Sequence, residues 1–210
     1  MALVSAVHPE LTTKLQLGAF DQAIAGWVNT DVTPHIFISR IPLAAEFLYR
    51  VRAMPPTRYR QHKDGIFRSL RYMDLTKPLP LATGSCSAVF SSHVLEHLFL
   101  DEVRRLLKEI VRILRPGAIC RAVVPDLRKI VATFDEKDPE PFLMAMFEIG
   151  GRSAVKNSHH SGFTEAFLVK LFQEAGFSEA YPCAFRQGRC PDLYKLDNRS
   201  EESIYVEGIR

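Results

Sequence analysis

The sequence predicts an α/β protein built on a doubly wound, mostly parallel sheet. Short apolar runs alternate with helical patterns through the first two-thirds of the chain, and most of the runs end in a turn residue or an acid. The last two β-runs, 179–185 and Ser203–Ile209, are separated only by a polar loop containing Pro191 and Asn198. That spacing predicts an antiparallel pair at one edge of the sheet.

The first run is 14–18, where Lys14-Leu-Gln-Leu stops at Gly18, and the second is 27–31, ending in Asp31. Only about eight residues separate them, short for a helical crossover of ten or more, so any helix there is a single turn. The pattern then turns helical over 34–63. Leu43, Phe47, Leu48 and Val51 make an apolar stripe, with Pro42 near a start and Pro55-Pro56 at an end. Strands are predicted over 71–75 and 87–92, the latter nearly uncharged, as for a strand covered on both faces. The clearest helix is 101–114, with Val103, Leu106, Leu107, Ile110, Val111 and Leu114 on one face. It ends at Arg115-Pro-Gly117, and a buried strand over 119–124 follows, closing at Pro125-Asp126. Helical segments are predicted over 126–134, 139–149 and 164–175, the last with Thr164 as N-cap and Gly176 at its end. The whole chain, 1–210, reads as one domain with a helical insertion at 34–63.

At 210 residues and 47% hydrophobic, the chain can bury a substantial core, which excludes disordered and disulfide-stapled classes. Cys86, Cys120, Cys183 and Cys190 are too scattered for a disulfide framework. No stretch approaches the roughly 18 apolar residues that span a bilayer. Residues 1–7 lack the basic region of a signal peptide, so a cytoplasmic protein is the expectation. The net charge of +3 is too small to imply a nucleic-acid partner. Between Arg40 and Lys77, however, nine Lys/Arg face three Asp/Glu, a local +6. Such a segment fits an anionic substrate, a membrane surface or simply a solvated helix face. A packed insertion is expected over 36–54, with a lid or a peripheral membrane contact as the alternatives.

In a doubly wound sheet, ligands bind beyond the carboxyl ends of the strands, at the switch point. The strand-end residues here are Gly18, Asp31, Asp74, His93 and Asp126. With Pro78-Leu-Pro80, the run 91–97 (Ser-Ser-His-Val-Leu-Glu-His), the run 109–117, Val124-Pro-Asp-Leu127 and Glu174-Ala-Gly-Phe177, this series resembles class I S-adenosylmethionine-dependent methyltransferases, especially small methyltransferase-type-11-like proteins. The resemblance covers about 14–209 and implies a Rossmann-like fold, S-adenosylmethionine as cofactor and a methyl acceptor. By position, it implies cofactor contacts at Gly18, Ala19, Phe20, Asp31, Asp74, Leu75 and His93. Gly18 would pass close to the methionyl part, Asp31 would accept from the ribose hydroxyls, and Asp74 with the Leu75 backbone would lie near the adenine. Two positions depart from the family pattern, Gln16 in place of an acid and Phe20 in place of the second glycine.

His93 is the candidate general base, since imidazole titrates near neutrality; its alternative is a hydrogen bond at the strand end. His159 and His160, in a polar loop, are candidate acceptor-pocket residues. Glu96 and His97 are expected to be solvated or to cap the next helix, and Asp126 to be an N-cap. Residues 93–97 also match the H-x-x-E-H pattern of inverted zinc peptidases. That motif belongs inside a helix rather than after a strand, and no third ligand is obvious, so no metal is expected. The acceptor implied is a small molecule or glycan, with a hydroxyl or amino group on an anionic carrier. The alternative function is a non-catalytic binding or scaffolding module, motivated by Gln16 and Phe20.

Overall fold

The computed structural model describes residues 13–147 and 158–210. The region 1–7 and the end of the helix predicted over 139–149 lie outside these.

Seven strands form one sheet: β1 Thr13–Leu17, β2 Val28–Asp31, β3 Arg71–Tyr72, β4 Cys86–Ser92, β5 Leu114–Pro125, β6 Glu179–Cys183 and β7 Ser203–Ile209. Their order is β3-β2-β1-β4-β5-β7-β6. The first five run parallel to one another, and β7 runs antiparallel to both β5 and β6. The predicted architecture is therefore observed, with the single reversed strand set between two others. The order reverses between β1 and β4, which defines the switch point.

Alternation along β5 divides the core between two faces. Cys120, Ala122 and Val124 point to one side, where α4 Leu100–Ile113 and α7 Glu165–Ala175 pack with Leu106, Leu107, Ile110, Leu168 and Phe172. Ile119 and Val123 point to the other, against Trp27, Phe90, Leu193 and Leu196. The α4 stripe matches expectation at Val103, Leu106, Leu107 and Ile110, and its start is fixed where the Glu102 carboxylate accepts the Phe99 N–H at 3.0 Å. The Thr164 hydroxyl accepts the Phe167 N–H at 3.3 Å at the start of α7, and Gly176 ends the helix at φ 103°, a left-handed conformation glycine adopts freely.

Four features differ from the sequence reading. The β1–β2 crossover contains no helix at all. Two buried amides hold it instead: Gln16 Nε2 donates to the Gln22 carbonyl at 3.1 Å, and Asn29 bonds Ile24 N, Ile24 O and Trp27 O. Strand β5 begins at Leu114, so the chain passes from α4 into the sheet without the expected break at Pro116. The last connection carries a short helix, α8 Leu193–Leu196, because Leu193 and Leu196 have an apolar sheet face to cover. Finally, the segment 34–63 is helical, as α1 His35–Ile38, α2 Ala44–Arg50 and α3 Pro56–Lys63, but its apolar stripe is not packed. Ile36 and Met54 are buried, whereas Leu43, Phe47 and Val51 are 76%, 64% and 54% exposed. The insertion anchors elsewhere, through a small core of Ala19, Ile36, Phe67 and Leu70 against the end of β1.

Among the described residues, no helix is long and apolar enough to cross a membrane.

Candidate active site at the sheet switch point

The turn after β1 forms the first wall. Gly18 has φ 63°, and a Cβ there would sit 2.2 Å from Val94 Cγ2, so only glycine fits against the segment following β4. Phe20 also takes a left-handed conformation, φ 40°. That geometry explains why a glycine suits this position and why phenylalanine is strained in it. The Phe20 ring is directed at the insertion, 5.8 Å from the Phe67 ring, with the Arg58 guanidinium 4.4 Å from its centroid.

Asp31 closes β2 and holds this turn. Its Oδ2 accepts the Phe20 N–H at 3.1 Å and its Oδ1 accepts the Thr33 N–H at 2.7 Å. Burial raises the Asp31 pKa against the lowering effect of these backbone bonds. The Val32 N–H also bears on this carboxylate, so it is held by three backbone donors. Asp74 is occupied locally: its Oδ1 accepts both the N–H and the hydroxyl of Thr76, at 3.0 and 2.6 Å. Leu75 packs on the main core. Asp126 caps α5 Leu127–Val131, accepting the Arg128 N–H at 3.0 Å, as expected.

The end of β4 builds the second wall, and here the structure departs most from the sequence reading. His93 sits at φ 53°, its N–H donating to the Val123 carbonyl and its Nε2 2.8 Å from Ser203 Oγ. Its Nδ1 lies 3.3 Å from Glu96 Oε1. Residues Leu95–His97 form a single 3₁₀ turn, not an α-helix. That turn folds Glu96 inward to 1% exposure, neither solvated nor capping a helix. Among the described residues, neither of its carboxylate oxygens makes a hydrogen bond. Burial pushes Glu96 up to about 8 and holds His93 down to about 4, so near pH 7 the first is protonated and the second neutral.

The loop before α7 clamps onto the same turn. His160 N–H and Ser161 N–H both donate to the Glu96 carbonyl, at 2.7 and 3.1 Å. His159 is thereby buried with its ring 5.2 Å from that of His97, while His160 stacks on Phe99 at 4.4 Å. Apart from Asp74 and Leu75, which are engaged locally, the predicted site residues fall into two groups, Gly18–Phe20 with Asp31 and His93 with His159–His160, joined where Val94 meets Gly18. The sequence reading missed Glu96 as a buried group, because its inward direction depends on the 3₁₀ turn and a distant loop.

A cavity of about 610 Å³ opens in the insertion, lined among others by Arg40, Leu43, Tyr59, His62, Lys63 and Arg68.

A family model described as methyltransferase domain matches residues 44–122. Among solved structures, an S-adenosylmethionine-dependent methyltransferase from Mesorhizobium loti matches at TM-score 0.51 and 18% identity, over 94% of this chain and 90% of that one. PigF with SAH matches at TM-score 0.50 and 14% identity, and the CurJ carbon methyltransferase at 0.51 and 13%. These matches cover 95% and 98% of this chain, which spans half the length of each of those two proteins. No curated protein matches in sequence. The fold is that of the class I S-adenosylmethionine-dependent methyltransferases.

Proposed function

We propose that the chain is an S-adenosylmethionine-dependent methyltransferase acting on a small-molecule or glycan acceptor. The observation that supports this best is the meeting of a left-handed glycine turn after β1 with a carboxylate at the end of β2, at the switch point of a 3-2-1-4-5-7-6 sheet. Gly18, Ala19 and Phe20 would line the methionyl end, Asp31 would take the ribose hydroxyls, and Asp74 and Leu75 would border the adenine. The cofactor supplies an activated methyl group: the acceptor's lone pair forms the new bond as the carbon–sulfur bond breaks with its electrons left on sulfur.

The protein's task is then mainly alignment. His93, closing β4 beside His159 and His160, faces the acceptor in this reading. Its ring is neutral near pH 7, and to take a proton from a hydroxyl acceptor it would have to give up its contact with Ser203 or Glu96. An anionic acceptor is favoured by the +6 segment and by Arg40, Lys63 and Arg68 around the insertion cavity.

A second reading, a non-catalytic module on the same fold, is favoured by one observation. Both Asp31 oxygens already accept protein N–H groups, and Val94 lies against Gly18. Calorimetric titration of the purified chain with S-adenosylmethionine and S-adenosylhomocysteine separates the two. Micromolar binding of either supports the enzyme; no binding at millimolar ligand favours the module.

A further inference from the structure

Glu96, His97 and His159 each offer a ligand atom, and these atoms lie within 4.8 Å of one another. We propose that they form a binding site for a divalent transition-metal ion of the zinc class. A second observation points to a ligand. Glu96 is 1% exposed and its two oxygens make no hydrogen bond among the described residues, the contact of Oε1 with His93 Nδ1 at 3.3 Å falling short of one, although the carboxyl group faces two further imidazoles. Leaving a buried carboxyl group unsatisfied is costly, and a bound ion is among the few things that account for one in a folded protein.

The surroundings are built as a metal site requires. The His97 Nδ1 lies 3.3 Å from the Ser158 carbonyl, which can only accept, so this contact favours the Nδ1–H tautomer and leaves the ring's lone pair on Nε2. His93 stands beside Glu96 Oε1 and is itself tied to Ser203, so it lies next to the ligand set without belonging to it. The loop carrying His159 is fixed by the two N–H bonds to the Glu96 carbonyl, and the Ser161 hydroxyl donates to the Leu98 carbonyl. Tetrahedral zinc with nitrogen and oxygen ligands needs its ligand atoms about 3.4 Å apart. The three groups therefore close on an ion by side-chain adjustments on the order of 1 Å. Two histidines and a carboxylate leave a fourth position open, as in catalytic rather than structural zinc sites. The histidine pair is 97 and 159, not the 93 and 97 of the H-x-x-E-H pattern.

The test uses the full chain, stripped with a chelator and titrated with Zn²⁺ alone by calorimetry. Co²⁺ is added separately to read its visible absorption. One equivalent of Zn²⁺ should bind the wild type, and Co²⁺ should give the intense bands of a four-coordinate site. His159→Ala and Glu96→Gln should each weaken Zn²⁺ at least tenfold, with folding checked by circular dichroism. His159→Ala carries the test if Glu96→Gln fails to fold. No Zn²⁺ binding by the wild type, or binding undiminished in His159→Ala, would overturn the proposal. Titration with S-adenosylmethionine is a separate measurement, so loss of either reading leaves the other standing.

Discussion

Asp31 Oδ2 accepts the backbone N–H of Phe20 at 3.1 Å, and this bond ties the turn after β1 to the end of β2. With no helix in the crossover, the carboxylate does locally what a helix would do by packing. Asp31→Ala removes the acceptor for two N–H groups, those of Phe20 and Thr33. It should lower stability by about 1–3 kcal/mol, the usual cost of leaving a partly buried donor unsatisfied. Urea unfolding reads this as a lower midpoint with an unchanged slope. A loss confined to cofactor affinity, with the midpoint intact, would mean the turn stands without Asp31.

Phe20→Gly sets two effects against each other. It relieves a non-glycine left-handed residue, worth roughly 1–2 kcal/mol. It also removes the Phe67 ring pair, about 0.5–1.5 kcal/mol, and the Arg58 contact, about 0.5–1 kcal/mol, and adds about 0.5–1 kcal/mol of backbone entropy. The losses win by a small margin, and the melting temperature should fall by a few degrees. A rise would show that the ring contributes less than its strain costs.

Arg121 occupies the middle of β5 with no solvent exposure, directly opposite Glu207 on β7. Its guanidinium meets Asp197 at 2.5 and 3.0 Å and Glu207 at 2.9 Å, and donates to the Gln187 and Ala184 carbonyls. Arg121→Met fits the space but leaves two buried carboxylates without their cation. A loss on the order of 3–5 kcal/mol is expected, measurable by chemical denaturation. A neutral outcome would mean that Asp197 and Glu207 find other partners at little cost.

His35 Nδ1 and His62 Nε2 lie 2.9 Å apart beside the Phe67 ring. Burial lowers both below their ordinary value of 6.5, aided by Arg58 near His35 and by His35 near His62. Folding thus favours the neutral rings, and their contribution to stability is present above pH 6.5. It is lost as pH falls below that value, where the unfolded chain binds protons first. Unfolding midpoints measured between pH 7.5 and 5 should decline, and less steeply in a His35→Gln/His62→Gln variant. Equal slopes would remove the pair from the acid response.

The sheet was legible because its signals are local. Gly18 and Asp31 end their strands, the α4 stripe repeats with helical period, and Thr164 and Gly176 bracket α7. The features that escaped depend on distant partners. Nothing near Arg121 in the apolar run 118–124 announces that Asp197 and Glu207 will meet it. Glu96 looks like an exposed charge until the loop at 158–161 closes over it. The stripe Leu43-Phe47-Val51 has the period of a packed helix, yet period reports a helix and not a neighbour to cover it.

On one sheet face, β1 presents Lys14 and Gln16 where an apolar strand would show side chains to a crossover helix. Lys14 pairs instead with Asp192 at 2.6 Å, and the Trp27 indole N–H donates to the same carboxylate at 3.0 Å. An early segment of the chain is thus roofed by one that is made much later. As the protein emerges from the ribosome, β1 and β2 wait for some 160 further residues before that face closes, which makes for a high contact order and slow final docking.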